Sequence, residues 1–143
     1  MTRDKNKRGS KPQLNTGSSD FKSSIVATQD HNTLTPKFCL AHIVSGYCLQ
    51  HLNVDQQAAF AISLQKRCAL TWKEITLAPR HGLGLETLPA AQIKPTIPEP
   101  FSDRRNFIVL RYSGKLPMVG VRIVDVFHVL WIERTYGDVY DHS

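Results

Sequence analysis

Apolar residues gather in the last third of the chain in short runs. Their spacing predicts three β-strands, Asn106 to Tyr112, about Met118 to Val124, and Val126 to Glu133. Ser113-Gly114 and Asp125 supply the reversals between them. Links this short imply an antiparallel meander, because parallel strands need a crossover of about a dozen residues or more. With Val124-Asp125 as a two-residue loop, Ile123 faces Val126, Val121 faces His128 and Val119 faces Leu130 on one apolar side. Arg122, Gly120, Phe127, Val129 and Trp131 then share the other, and a slip by one residue would exchange the two sets.

Upstream, the segment from Lys37 (KFCLAHIV) alternates as a strand that Gly46 ends. Ala59, Phe60, Ile62, Ser63 and Leu64 give the inner face of a helix from about Gln56 to Arg67, with Asp55 as its cap. A second, shorter helix opens at Thr71, where Thr71 and Glu74 have capping-box spacing, and stops by Pro79. Arg80 to Glu86 and the passage through Pro89, Pro95, Pro98 and Pro100 are expected to be loop. Residues 1–36 are polar and poor in large apolar groups, so a disordered basic arm is expected there. The expected fold is α+β over residues 37–143: an N-terminal strand, two helices and a three-stranded antiparallel meander, with the helices packed on one sheet face.

Composition narrows the picture only slightly. A chain of 143 residues, 41% of them apolar, has room for one domain with a small core. The formal charge of +6 suits a phosphate-bearing partner, but residues 1–37 hold seven Lys/Arg against three Asp/Glu and the remainder eleven against nine. Most of the excess is therefore in residues 1–37. Cys39, Cys48 and Cys68 fit no zinc spacing and read as small core residues of a protein in a reducing compartment. No run approaches the roughly 18 apolar residues of a membrane span. A cytoplasmic location with no membrane partner is expected.

Cutting RNA without a metal needs a base for the attacking oxygen, cations for the developing phosphorane charge and an acid for the leaving oxygen. The third strand and its tail carry His128, Arg134, Tyr136, Tyr140, Asp141 and His142, and the first hairpin adds Arg111, Tyr112 and Lys115. Arg111 reads either as a functional cation or as half of an ion pair. His128 reads as a core histidine, and His142 as a base oriented by its neighbour Asp141. Arg80 and His81, in a glycine-containing basic segment, read as phosphate contacts or as loop structure; Arg122 reads as an RNA contact or a structural cation. No set of His, Cys and carboxylates has metal-ligand spacing, so neither metal nor other cofactor is expected.

Ile132-Glu133-Arg134-Thr135-Tyr136-Gly137-Asp138-Val139-Tyr140 is similar to the closing strand of the RelE/ParE superfamily of small bacterial toxins. In both, an Arg is followed six positions later by a Tyr that an acidic residue and Val precede. Phe107 to Arg122 also resembles the family's preceding hairpin, and the likeness in element order runs from Lys37 to His142. It implies the toxin of a toxin-antitoxin pair, an mRNA endonuclease acting at the ribosome by attack of a 2′-hydroxyl on the adjacent phosphate. The implied partners are an antitoxin protein, mRNA and the ribosome. Arg134 would stabilise the scissile phosphate, Tyr140 would stack on or polarise the nucleotide, Arg111 and Lys115 would add charge, and His142 would supply an imidazole. Arg80, His81, Arg122 and Tyr136 are the expected RNA contacts. The family's Arg near the start of the strand that begins here with Leu116-Pro117-Met118 is missing, which leaves an alternative: a non-catalytic nucleic-acid-binding or protein-interaction module on the same fold.

Overall fold

The computed structural model describes residues 30–142, so most of the arm expected for residues 1–36 lies outside the described residues. Its last part belongs to the folded unit, which starts at His31. A 3-10 turn, His31–Thr33, leads into Leu34, whose carbonyl accepts from Trp72 N at 2.9 Å, and Pro36 is buried.

Two capping boxes start the helices. Helix α1, Val54–Cys68, is capped by Asn53 and not by Asp55: Asn53 Oδ1 accepts from Gln56 N at 2.7 Å and Gln56 Oε1 accepts from Asn53 N at 3.0 Å. Asp55 sits in the first turn, where its charge complements the helix dipole. Phe60, Ser63 and Arg67, at spacings of three and four, form its buried edge. Helix α2, Trp72–Leu77, has the expected Thr71/Glu74 box and buries Trp72 and Ile75. Burying a side chain of this size contributes roughly 1.5–3 kcal/mol relative to leaving it exposed. No helix among the described residues is long and apolar enough to cross a membrane.

The sheet corrects the expected three-stranded antiparallel meander. It has five strands and is mixed: β1 (Lys37–Cys39), β2 (Leu85–Pro89), β3 (Asn106–Ser113), β4 (Leu116–Ile123) and β5 (Val126–Ile132), in the order β1-β5-β4-β3-β2. The hairpins β3-β4 and β4-β5 lie at its centre. Short β1 adds to β5 in parallel, with Phe38 beside Phe127. β2 comes from the segment expected to be loop and pairs antiparallel with β3, Leu85 with Leu110 and Leu88 with Phe107. Glycines before this strand and prolines after it hide it in the sequence. An edge strand tolerates Pro89 because one of its two sides needs no ladder donor.

The β4-β5 register agrees with a two-residue Val124-Asp125 loop as far as Gly120 and Val129, and then shifts. Gly120 pairs with Val129 and Val119 with Trp131, so Leu130 is an extra, bulged residue and Val119 does not face it. A Cβ at position 120 would stand 2.0 Å from the His128 carbonyl oxygen, which is why glycine stands on β4 beside the bulge. The bulge turns both Leu130 and Trp131 onto one side.

Each face of the sheet is covered. Phe60, Trp72 and Ile75 of the helices pack with Leu110, Tyr112, Met118, Phe127, Val129 and Ile132. On the opposite face, Phe107, Val109, Val119, Val121, Leu130 and Trp131 meet Phe101 and the tail residues Val139 and Tyr140. The tail is thereby folded against the sheet and reaches the end where β2 begins.

Candidate functional site

At that end of the sheet the turn before β2, the start of β2, the end of β3, the β3-β4 turn and the tail enclose a hollow of about 620 Å³. Arg80 and His81 come from the turn, Arg111 from β3 and Lys115 from the β3-β4 turn; Tyr136, Tyr140 and His142 come from the tail. Seven of the nine residues expected to act on RNA therefore converge.

The tail is organised by a residue that the sequence reading passed over. Glu133, with no exposed surface, follows β5 and projects its carboxylate under the tail. Oε1 accepts from Gly137 N at 3.1 Å and lies 2.8 Å from His142 Nε2; Oε2 accepts from Val139 N at 2.8 Å and from Tyr140 N at 3.4 Å. Gly137 has φ +97, a conformation that favours glycine, and so allows the tight reversal. With Glu133 ionised, His142 Nε2 is the donor and Nδ1 is the basic nitrogen. The His142 side chain is 5% exposed. Its ring lies between Tyr136 and Tyr140, each centroid 3.9 Å away. Asp141 does not orient it: that carboxylate pairs with Lys94 Nζ at 2.8 Å.

Tyr140 is nearly buried, and its phenol is pushed well above the ordinary range by burial, with the Glu86 and Glu133 carboxylates adding to the shift. It stays protonated at neutral pH and can donate a hydrogen bond. Tyr136 is 48% exposed and offers an aromatic face to solvent.

Arg111 is held by two partners. Its Nη2 lies 3.5 Å from Glu86 Oε2, an ion pair without a hydrogen bond, and its Nη1 is 3.2 Å from His81 Nδ1. Glu86 also lies 3.9 Å from Arg80 Nη1. Of the two readings of Arg111, the ion pair is the one the structure contains. Arg67, fully buried on α1, braces this wall: Nη2 donates to the Gly82 and Arg111 carbonyls at 3.3 and 2.9 Å, and Nε to Leu83 O at 3.2 Å. Burial pulls its guanidinium down to about 10, so it remains charged at neutral pH.

Two expected residues lie elsewhere. Arg134 is exposed and does not line the hollow. Its backbone is fixed by Asp138 Oδ2, which accepts Arg134 N at 3.1 Å, and by Gln56 of α1, which donates to its carbonyl. The chain alternates as it leaves β5: Glu133 turns inward and Arg134 turns away. Arg122 lies by the β4-β5 turn, its guanidinium 4.4 Å from the centre of the Trp72 ring and its Nε donating to Val124 O at 2.7 Å. These are the contacts of a structural cation. His128 is half-buried against His42 and Phe101.

No family model, curated protein or solved structure matches the chain. The site is therefore read from its own geometry. It combines an oriented imidazole, a protonated phenol, an exposed aromatic face and a cluster of cations around an open cavity. These are the groups that bind a phosphodiester and move a proton at it. Glu133, Glu86 and Arg67 were missed because no spacing marks them out: Glu133 adjoins Arg134, Arg67 adjoins Lys66, and Glu86 stood in a segment read as loop.

Proposed function

We propose that the chain is a metal-independent endoribonuclease of RelE-like type, the toxin of a toxin-antitoxin pair, which cuts mRNA at the ribosome by 2′-hydroxyl attack on the adjacent phosphate. The observation that carries the nuclease reading is His142, clamped between two tyrosines with its Nε2 on a buried carboxylate, lining a hollow that also holds Arg80, Arg111 and Lys115. His142 takes the 2′-hydroxyl proton at Nδ1, and Glu133 is the positioning residue that fixes its tautomer and ring plane. Arg111, Arg80 and Lys115 neutralise the phosphorane charge, while the Tyr140 phenol donates to a phosphate oxygen. Glu86 holds Arg80 and Arg111 together until a phosphate takes its place. The bond from phosphorus to the 2′-oxygen forms as the bond to the 5′-oxygen breaks, the departing oxygen takes a proton from solvent, and His142 then releases its own, leaving a 2′,3′-cyclic phosphate and a 5′-hydroxyl. The antitoxin and ribosome as partners rest on the resemblance in Ile132 to Tyr140 and on the toxin reading it implies.

Induced expression in bacteria tests the proposal as a whole. Growth arrest with truncated transcripts is expected, and Arg111→Ala or His142→Ala should relieve both. Normal growth with intact transcripts, from protein shown to be folded and abundant, would contradict the toxin reading.

A further inference from the structure

We infer that a groove beside the hollow is a second nucleotide subsite, so that the ligand is single-stranded RNA extending past the reacting phosphate; this rests on the hollow's being an RNA site. The groove, of about 440 Å³, runs between α1 and the β3-β4 turn, with Ala59, Ile62 and Lys66 facing Ser113 and Gly114. His81 and Arg111 line both cavities. The two spaces are thus neighbours separated by one wall, which the 3.2 Å His81–Arg111 contact closes.

That wall is electropositive for a structural reason. Arg67 supports both halves of it, and the donors it engages go to neutral carbonyls. Among the described residues Arg67 makes no ion pair, and its Nη1 is buried without a partner. Glu86 offsets Arg111 from the hollow's side only. A chain phosphate crossing the wall would meet Arg111 and His81 directly and the field of Arg67 from below.

The groove supplies what a flanking nucleotide requires. Ile62 is 49% exposed although large and aliphatic, and Lys66 follows it by one helical turn on the same face. Proteins follow single strands with base-stacking surfaces beside cations; here aliphatic Ile62 stands where an aromatic is usual, offering van der Waals contact, and Lys66 is the cation. A duplex would present its bases to neither cavity, since they remain stacked and paired.

The test uses the full chain and two RNA probes, a dinucleotide and a tetranucleotide, each 2′-deoxy at the attacking sugar so that binding is read without cleavage. The tetranucleotide should bind more tightly. Lys66→Glu, and separately Ile62→Asp, should weaken it by about tenfold while changing the dinucleotide by less than about twofold, both variants keeping wild-type circular dichroism. Equal losses on the two probes would overturn the subsite, and a duplex bound as tightly as the single strand would overturn the substrate class. Failure of the wild type to bind either probe would overturn both the subsite and the RNA reading of the hollow. Length-dependent binding with no cleavage of mRNA on ribosomes would support the subsite and refute only the nuclease.

Discussion

Glu133→Gln probes the tail directly. The wild-type carboxylate takes two donors on each oxygen: Gly137 N and His142 Nε2 on Oε1, and Val139 N and Tyr140 N on Oε2. An amide keeps one oxygen and presents N–H groups in place of the other. With its N–H at the Oε2 position the amide leaves Val139 N and Tyr140 N without an acceptor; with its N–H at the Oε1 position it leaves Gly137 N unpaired, while His142 can switch tautomer and accept from it at Nε2. Each buried donor left unpaired costs about 1–3 kcal/mol, and the bonds lost are those to a charged acceptor. The longest contact, 3.4 Å to Tyr140 N, is weak. The less costly placement leaves one donor unpaired, so the expected loss is roughly 1–3 kcal/mol, a sizeable share of the roughly 5–15 kcal/mol that holds a small domain together. Urea unfolding of wild type and variant gives the number, and amide hydrogen exchange at Gly137, Val139 and Tyr140 shows whether the loss is local. A change below about 1 kcal/mol, with unaltered exchange at those amides, would refute the claim that Glu133 holds the tail.

Three further outcomes are expected. Gly120→Ala drives a Cβ into the His128 carbonyl 2.0 Å away, and thermal unfolding should show a severe loss, about 3 kcal/mol or more, or no folded protein. The Tyr112 phenol donates to the Glu133 carbonyl and is pushed up to about 12, chiefly by burial and further by Glu133 and Asp138. The folded state holds that proton more tightly than the unfolded chain, whose tyrosine titrates near 10. The contribution is whole below about pH 10 and is lost as pH rises through about 12, so Tyr112→Phe should flatten the fall in stability over that window. Arg134→Ala should leave RNA cleavage within about twofold of wild type, because that side chain does not line the hollow; a loss of about 10²-fold would return it to the site.

Local chemistry made much of the fold legible. Thr71 and Glu74 announce α2 by their spacing, and Ser113-Gly114 marks the β3-β4 turn, where Gly114 has φ +57. Long-range pairing was not legible. β1 joins β5 across most of the chain, and β2 hides between glycines and prolines, so neither local pattern nor loop length reveals a five-stranded mixed sheet. The bulge at Leu130 escaped for a related reason: the contact that excludes a side chain at Gly120 exists only once β4 and β5 are paired. Within the site, the cationic and aromatic residues could be nominated from type and position. Glu133 is recognisable only when its strand is seen to end one residue earlier, at Ile132, and the tail folds back over it.

The central claim is that His142, in the grip of Glu133, moves the proton in RNA cleavage. Single-turnover cleavage of an mRNA bound on purified ribosomes tests it most directly, comparing wild type with His142→Ala. The account predicts a 2′,3′-cyclic phosphate product and a rate lower by about 10²–10⁴ in the variant. An undiminished rate in the variant, or no cleavage by the wild type, would contradict it.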